Sequence, residues 1–143
     1  MNLIVAFKAI IVAIACFAAA SVRADDSCIA AYGAPAVGQF LRDLQKAVAA
    51  DDRKQVVQMV EYPITIKVGN KPVRLRKRSE LLKLYDVAFD EKVKGFLAKQ
   101  KFSGLFCNWR GIMVGRGEIW INTAENSHAL KIIAINNNPP WSP

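Results

Sequence analysis

Ile64-Thr65-Ile66-Lys67-Val68-Gly69-Asn70-Lys71-Pro72-Val73-Arg74-Leu75-Arg76 is the stretch that decides the fold. Residues 64–68 alternate apolar and polar with a period of two, Gly69 to Pro72 carry turn chemistry, and residues 73–76 alternate again. Successive side chains of a strand point to opposite faces, so this pattern predicts a β-hairpin with one apolar face.

Upstream the period is helical. From Ala36 to Ala50, the residues Phe40, Leu41, Leu44 and Val48 recur at spacings of three and four, as one face of an amphipathic helix requires. Asp51 and Asp52 interrupt that stripe and suit the start of a second short helix, with Val56, Val57 and Val60 as its buried side and Pro63 preventing continuation. A paired-carboxylate acid/base role for Asp51 and Asp52 is the competing reading, but both sit at a helix boundary among polar neighbours, where capping accounts for them.

Downstream, Ser79 reads as the cap of a third helix carrying Leu81, Leu82, Leu84, Tyr85, Phe89, Val93, Phe96 and Leu97, with Gly95 as a kink or an early end. The period then returns to two. Residues 105–109, 112–114, 118–122 and 130–136 are strand candidates, with Gly111, Gly115, Gly117 and residues 124–127 supplying bends and turns. Helix, helix, hairpin, helix and antiparallel meander predict an α+β fold, with three helices packed on one face of a curved, mostly antiparallel sheet. Phe40, Leu44, Val57, Ile64, Ile66, Leu82, Phe89 and Ile133 are expected to share its core.

Residues 1–24 have the form of a secretory signal peptide: Lys8 ends a short basic region, Ala9 to Ala20 are apolar, and Val22-Arg23-Ala24 precedes the polar Asp25-Asp26. The apolar run is shorter than the roughly 20 residues that span a bilayer, so no stable membrane span is expected after cleavage. A competing reading takes Val12-Ala13-Ile14-Ala15-Cys16 as a lipoprotein signal ending in a lipidated Cys16. Residues 25–143 then form one domain, with a Pro-rich tail over about 137–143 that contains Trp141. The expected location is extracytoplasmic, periplasmic or secreted. Cleavage also leaves Cys28 and Cys107 as one pair in an oxidising compartment, where a disulfide is expected. Closing a loop of about 80 residues would stabilise by roughly 4.5 kcal/mol in the chain-entropy model. Without a second cysteine pair or a histidine cluster, no zinc site is expected, and no cofactor motif is present.

The element order, together with Phe40-Leu41, Val56-Val57 and Tyr62-Pro63-Ile64 leading to the hairpin and Gly115-Arg116-Gly117-Glu118-Ile119-Trp120-Ile121 leading to the last strand pair, resembles the nuclear transport factor 2-like (cystatin-like) superfamily. The resemblance implies a cone-shaped sheet. It leaves activity open, since that layout serves isomerases and dehydratases as well as non-catalytic binding and immunity domains.

If the cone held an enzyme or small-molecule carrier, proton transfer would need a carboxylate or histidine in a dry pocket. Glu118, Asp86 and His128 are the candidates. His128 sits by Asn126 and Ser127 in a turn, where solvation is the default, and Asp86 lies on a charged helix face. Alternation groups Glu118, Trp120 and Asn122 on one face of their strand and Ile119 with Ile121 on the other, which suits the isoleucines to the core and Glu118 to an outer surface.

The stronger signal is basic. The chain carries a formal charge of +8, which falls to +6 once Lys8 and Arg23 leave with residues 1–24. Lys71, Arg74, Arg76, Lys77 and Arg78 crowd the hairpin, and alternation with Val73 and Leu75 projects Arg74 and Arg76 to one side. Two readings fit, a solvated edge strand guarded by charge and a guanidinium pair that recognises anions. Nucleic acid is disfavoured by the compartment and by the lack of interleaved aromatics. The function expected is therefore binding of an anionic partner, an acidic protein or an envelope polymer, with Arg74, Arg76, Lys77 and Arg78 attracting it and Trp109 or Trp120 anchoring it; inhibition or immunity is one version.

Overall fold

The computed structural model describes residues 24–138; the expected signal peptide up to Arg23, the lipidation candidate Cys16 and the tail from Pro139, with Trp141, lie outside them. Helix α1 (Ala24–Ala31) was not expected from the sequence. Its alanines favour helix, and Gly33, at φ 83°, turns the chain into α2 (Ala34–Ala49). The predicted disulfide is present: Cys28 on α1 is bonded to Cys107, with Cα atoms 5.8 Å apart.

Helix α2 opens with Pro35 in its first turn and buries Val37, Leu41, Leu44 and Ala47. Asp52 caps α3 (Arg53–Gln58) as expected, its carboxylate accepting from the Gln55 N–H at 3.0 Å. Strands β1 (Ile64–Val68) and β2 (Lys71–Leu75) form the hairpin, with Ile64 opposite Leu75 and Ile66 opposite Val73 on the core side. The turn is only Gly69-Asn70, so β2 starts earlier than expected and takes in Pro72. Pro72 faces Lys67 at a position whose nitrogen points to the open edge, and no ladder bond is lost.

The third predicted helix is three: α4 (Arg78–Lys83), α5 (Tyr85–Ala88) and α6 (Glu91–Lys99). Asp90 competes for the backbone, capping α6 by accepting from the Val93 N–H at 2.8 Å, and this ends the preceding turn. Ser79 is not the cap. Lys77 holds that position, and Glu80 reaches back to accept from the Arg76 N–H at 2.6 Å. Gly95 lies inside α6 and does not end it.

Strands β3 (Phe106–Asn108), β4 (Gly111–Val114), β5 (Ile119–Thr123) and β6 (Leu130–Ile135) follow in antiparallel order, giving the expected α+β fold. Their inner row, Cys107, Ile112, Ile121 and Ile132, packs on the helices with Leu44, Val57, Tyr85 and Phe89. Phe40 and Leu82 pack at the margin of this core. Ile133 does not join it. Trp120 faces Ala134 while Ile121 faces Ile132, so one extra residue bulges out of β6. The bulge breaks the alternation, turning Ile132 and Ile135 inward and leaving Ile133 half-exposed. Among the described residues no helix is long and apolar enough to cross a membrane.

Candidate binding surface

The same register that builds the core assembles a second row on the outside. Phe106 stands opposite Met113, Met113 opposite Trp120, and Trp120 opposite Ala134, so one outward line crosses all four strands. Hairpin β1–β2 continues this surface. Its Ile64 and Ile66 share the core with Ile132 and Ile135, which leaves Thr65 and its partner Arg74 on the outer side.

At one end the line is aromatic. Trp109 is 88% exposed in the two-residue turn between β3 and β4. Beside it the Arg110 guanidinium lies 5.6 Å from the Trp109 ring centre and 5.7 Å from that of Trp120, within cation–π range of both. The turn is stiffened by Asn108, which accepts from the Arg110 N–H at 2.8 Å, and by Asn122, whose side-chain amide donates to the Arg110 carbonyl at 3.2 Å. Gly111 sits at φ 125° with its α-carbon against the Ile121 carbonyl, where any Cβ would collide. Trp120 is half-buried, and Phe106 is exposed. Exposed Trp with Arg and Met is the composition of interface hot spots rather than of ordinary solvated surface.

At the other end the surface is basic. Arg74, Arg76, Lys77 and Arg78 are all exposed, and of these Arg74 flanks the groove between β1 and β6 together with Lys67. Arg78 opens α4, where its charge acts on Tyr62; that hydroxyl, bonded to the Val57 carbonyl at 3.0 Å, is pushed up to about 12 by burial, with Arg78 pulling the other way. The basic run therefore follows the chain from strand to helix instead of lying on one face.

The proton-transfer candidates have other partners. Glu118 is buried at 1% exposure, contrary to the outer position expected, because it belongs to the β4–β5 turn and not to the alternating strand. Its carboxylate accepts from the Arg116 N–H at 2.6 Å and closes over Gly115, where a side chain would collide with that carboxylate and Phe96 and where a φ of 69° favours glycine. Asp86 is exposed and holds Arg53 through two bonds of 2.9 Å; Arg53 also binds Asp51 and lies over the Tyr85 ring at 4.8 Å. These carboxylates, Asp86 first, hold the Arg53 guanidinium protonated beyond its usual range. His128 is exposed between β5 and β6. Tyr85, fully buried and stacked on Phe89 at 5.0 Å, has a hydroxyl without a hydrogen-bond partner among the described residues, and burial pushes it up to about 12.

Arg110, Lys67 and Asn137 were not singled out from the sequence. Arg110 carried a signal in its place beside Trp109, but its second indole comes from a strand ten residues on, brought in by register. No protein-family model matches the chain, and no curated protein or solved structure matches it either.

Proposed function

We propose that the protein is a small extracytoplasmic binding domain that associates with an acidic protein through the outer surface of its sheets. The observation that supports this most is the continuity of that surface, from Trp109, Arg110 and Trp120 across Ala134 to Arg74. The guanidinium and ammonium groups supply long-range attraction, and the indoles supply apolar contact once the partner arrives. The apolar N-terminal run and the Cys28–Cys107 bond support an extracytoplasmic setting. Inhibition of a secreted or envelope enzyme is one form such association takes, and the nuclear transport factor 2-like resemblance is compatible with it.

The test is affinity capture from envelope and culture-medium extracts with wild type, Arg74→Glu/Arg76→Glu, Trp120→Ala and a control of equal charge change on the helices, Lys46→Glu/Lys54→Glu. An acidic protein retained by wild type and control but lost from the two surface variants supports the proposal. Retention of a polysaccharide or lipid instead, or equal loss from the control, contradicts it.

A further inference from the structure

We infer that the free edge of β2 is a peptide-binding site that accepts an extended segment of a partner protein, acidic and apolar by turns, as an added antiparallel strand. This rests on the proposed association with an acidic protein and deepens it, since it names the part of the partner and the mode of contact.

Strand β2 is the outer member of its two-stranded sheet: β1 pairs along one side of it, and no described strand stands on the other. The hairpin fixes which main-chain groups face that open side. Its two-residue turn makes Val68 and Lys71 a hydrogen-bonded pair, and the pairing alternates from there, so Lys67 and Thr65 turn their groups away from β2 while Pro72 and Arg74 turn theirs away from β1. Bonds outside the ladder carry the same phase. The Lys67 N–H donates to the Asn137 side chain and the Lys67 carbonyl accepts from it, and the Arg76 N–H, two residues beyond Arg74, donates to Glu80 at 2.6 Å. The Glu80 contact closes the edge where α4 begins. Before it Pro72 and Arg74 are exposed, and the Pro72 carbonyl and both main-chain groups of Arg74 are bonded to no described residue. An unpaired edge with donors and acceptors at strand spacing is the contact that strand addition uses.

This edge borders a hollow of about 640 Å³ between β2 and α4. Val73 and Leu84, both half-buried, give the hollow apolar surface, and Arg74, Arg76 and Lys83 stand around it. Its one carboxylate, Glu80, is engaged by the Arg76 N–H. Alternation then sets the sequence of the occupant. In an antiparallel ladder the residue opposite Arg74 exchanges both bonds with it and shares its outer face, whereas the residues on either side turn toward Val73 and the hollow. Acidic side chains therefore belong at the positions whose N–H points to β2, with apolar ones between them. The same cations exclude a second copy of this chain, since its own β2 would set Lys71 and Arg74 against like charges.

The probe is the peptide acetyl-Val-Glu-Val-Glu-Val-amide, compared with a form N-methylated at both glutamates, whose N–H groups would bond β2, and a form N-methylated at the central valine, whose N–H would point away. Each is titrated into the purified protein by amide NMR. Strand addition predicts shifts and slowed hydrogen exchange at the Arg74 amide, binding weakened about tenfold or more by methylation at the glutamates, as the loss of two hydrogen bonds implies, and little change from methylation at the valine. Equal effects of the two methylations, shifts confined to Trp109 and Arg110, or no binding of the peptide while poly-glutamate perturbs the outer surface would overturn strand addition and leave an acidic partner in place. If neither the peptide nor poly-glutamate perturbs any residue of the outer surface, the proposed function fails together with the inference.

Discussion

Asn137 fastens the hairpin to the end of the meander by binding Lys67 twice, its Oδ1 accepting from the Lys67 N–H at 2.9 Å and its Nδ2 donating to the Lys67 carbonyl at 2.6 Å. The same amide nitrogen donates to the Val87 carbonyl at 2.9 Å, so one buried side chain joins β1, the end of β6 and α5. Expected from the sequence to begin a Pro-rich tail, this residue is part of the folded body.

Asn137→Ala removes three bonds at once and leaves main-chain groups of Lys67 and Val87 without partners. Each unsatisfied buried group costs about 1–3 kcal/mol, and partial access of water at the groove places the expected loss near 3 kcal/mol in urea unfolding. A loss under half a kcal/mol would show that the hairpin is held by its apolar face alone.

Tyr85→Phe is expected to stabilise the protein by about 1 kcal/mol, because the buried hydroxyl has no partner to lose. The same residue sets an alkaline limit. Its folded value of about 12 lies above the ordinary value of 10.0, so from pH 10 upward the unfolded chain releases this proton before the folded one does. Stability present below 10 is then lost as pH rises toward 12, and Tyr62, raised to about 12 as well, acts in the same direction. Denaturant midpoints measured from pH 9 to 12 should fall, and fall less in Tyr85→Phe; equal slopes would remove Tyr85 from this account.

The Cys28–Cys107 bond closes a loop with a sequence separation of 79 and pins α1 to β3. Replacing both cysteines with alanine should lower stability by about 4 kcal/mol on loop-entropy grounds, with α1 the first element to lose protection from hydrogen exchange. Labelling of two free thiols in the native, unreduced protein would refute the bond itself.

Much of the fold was legible because its signals are local. The hairpin, α2 and the Asp52 cap follow from period and capping chemistry within a dozen residues. The break at Asp90 carried a local capping signal that the helical stripe across it masked, whereas the bulge that turns Ile133 out of the core depends on distant partners and exists only in register with Trp120 and Ile121. Helix α1 escaped for a different reason, since the eight residues Ala24–Ala31 carry no apolar stripe of helical period. In the surface, the exposure of Arg74 could be read from alternation, whereas Trp109, expected to end a strand over 105–109, lies in the turn after β3. The row joining Trp120 to Ala134, and the meeting of β6 with β1, could not be read, because sequence fixes neither strand pairing nor the tie made by Asn137. Glu118 was misread since alternation was carried one residue past the start of β5.

The most direct measurement of the central claim is the association rate of the acidic partner recovered by capture, followed at low and rising ionic strength for wild type and Arg74→Glu/Arg76→Glu. These outward charges contribute little to folding, so the melting temperature of the double variant should match wild type. The account predicts markedly slower association of the variant at low salt and convergence of the two rates as salt screens the charges. Unchanged kinetics at low ionic strength in a folded variant would contradict it and return the basic run to a solvated edge.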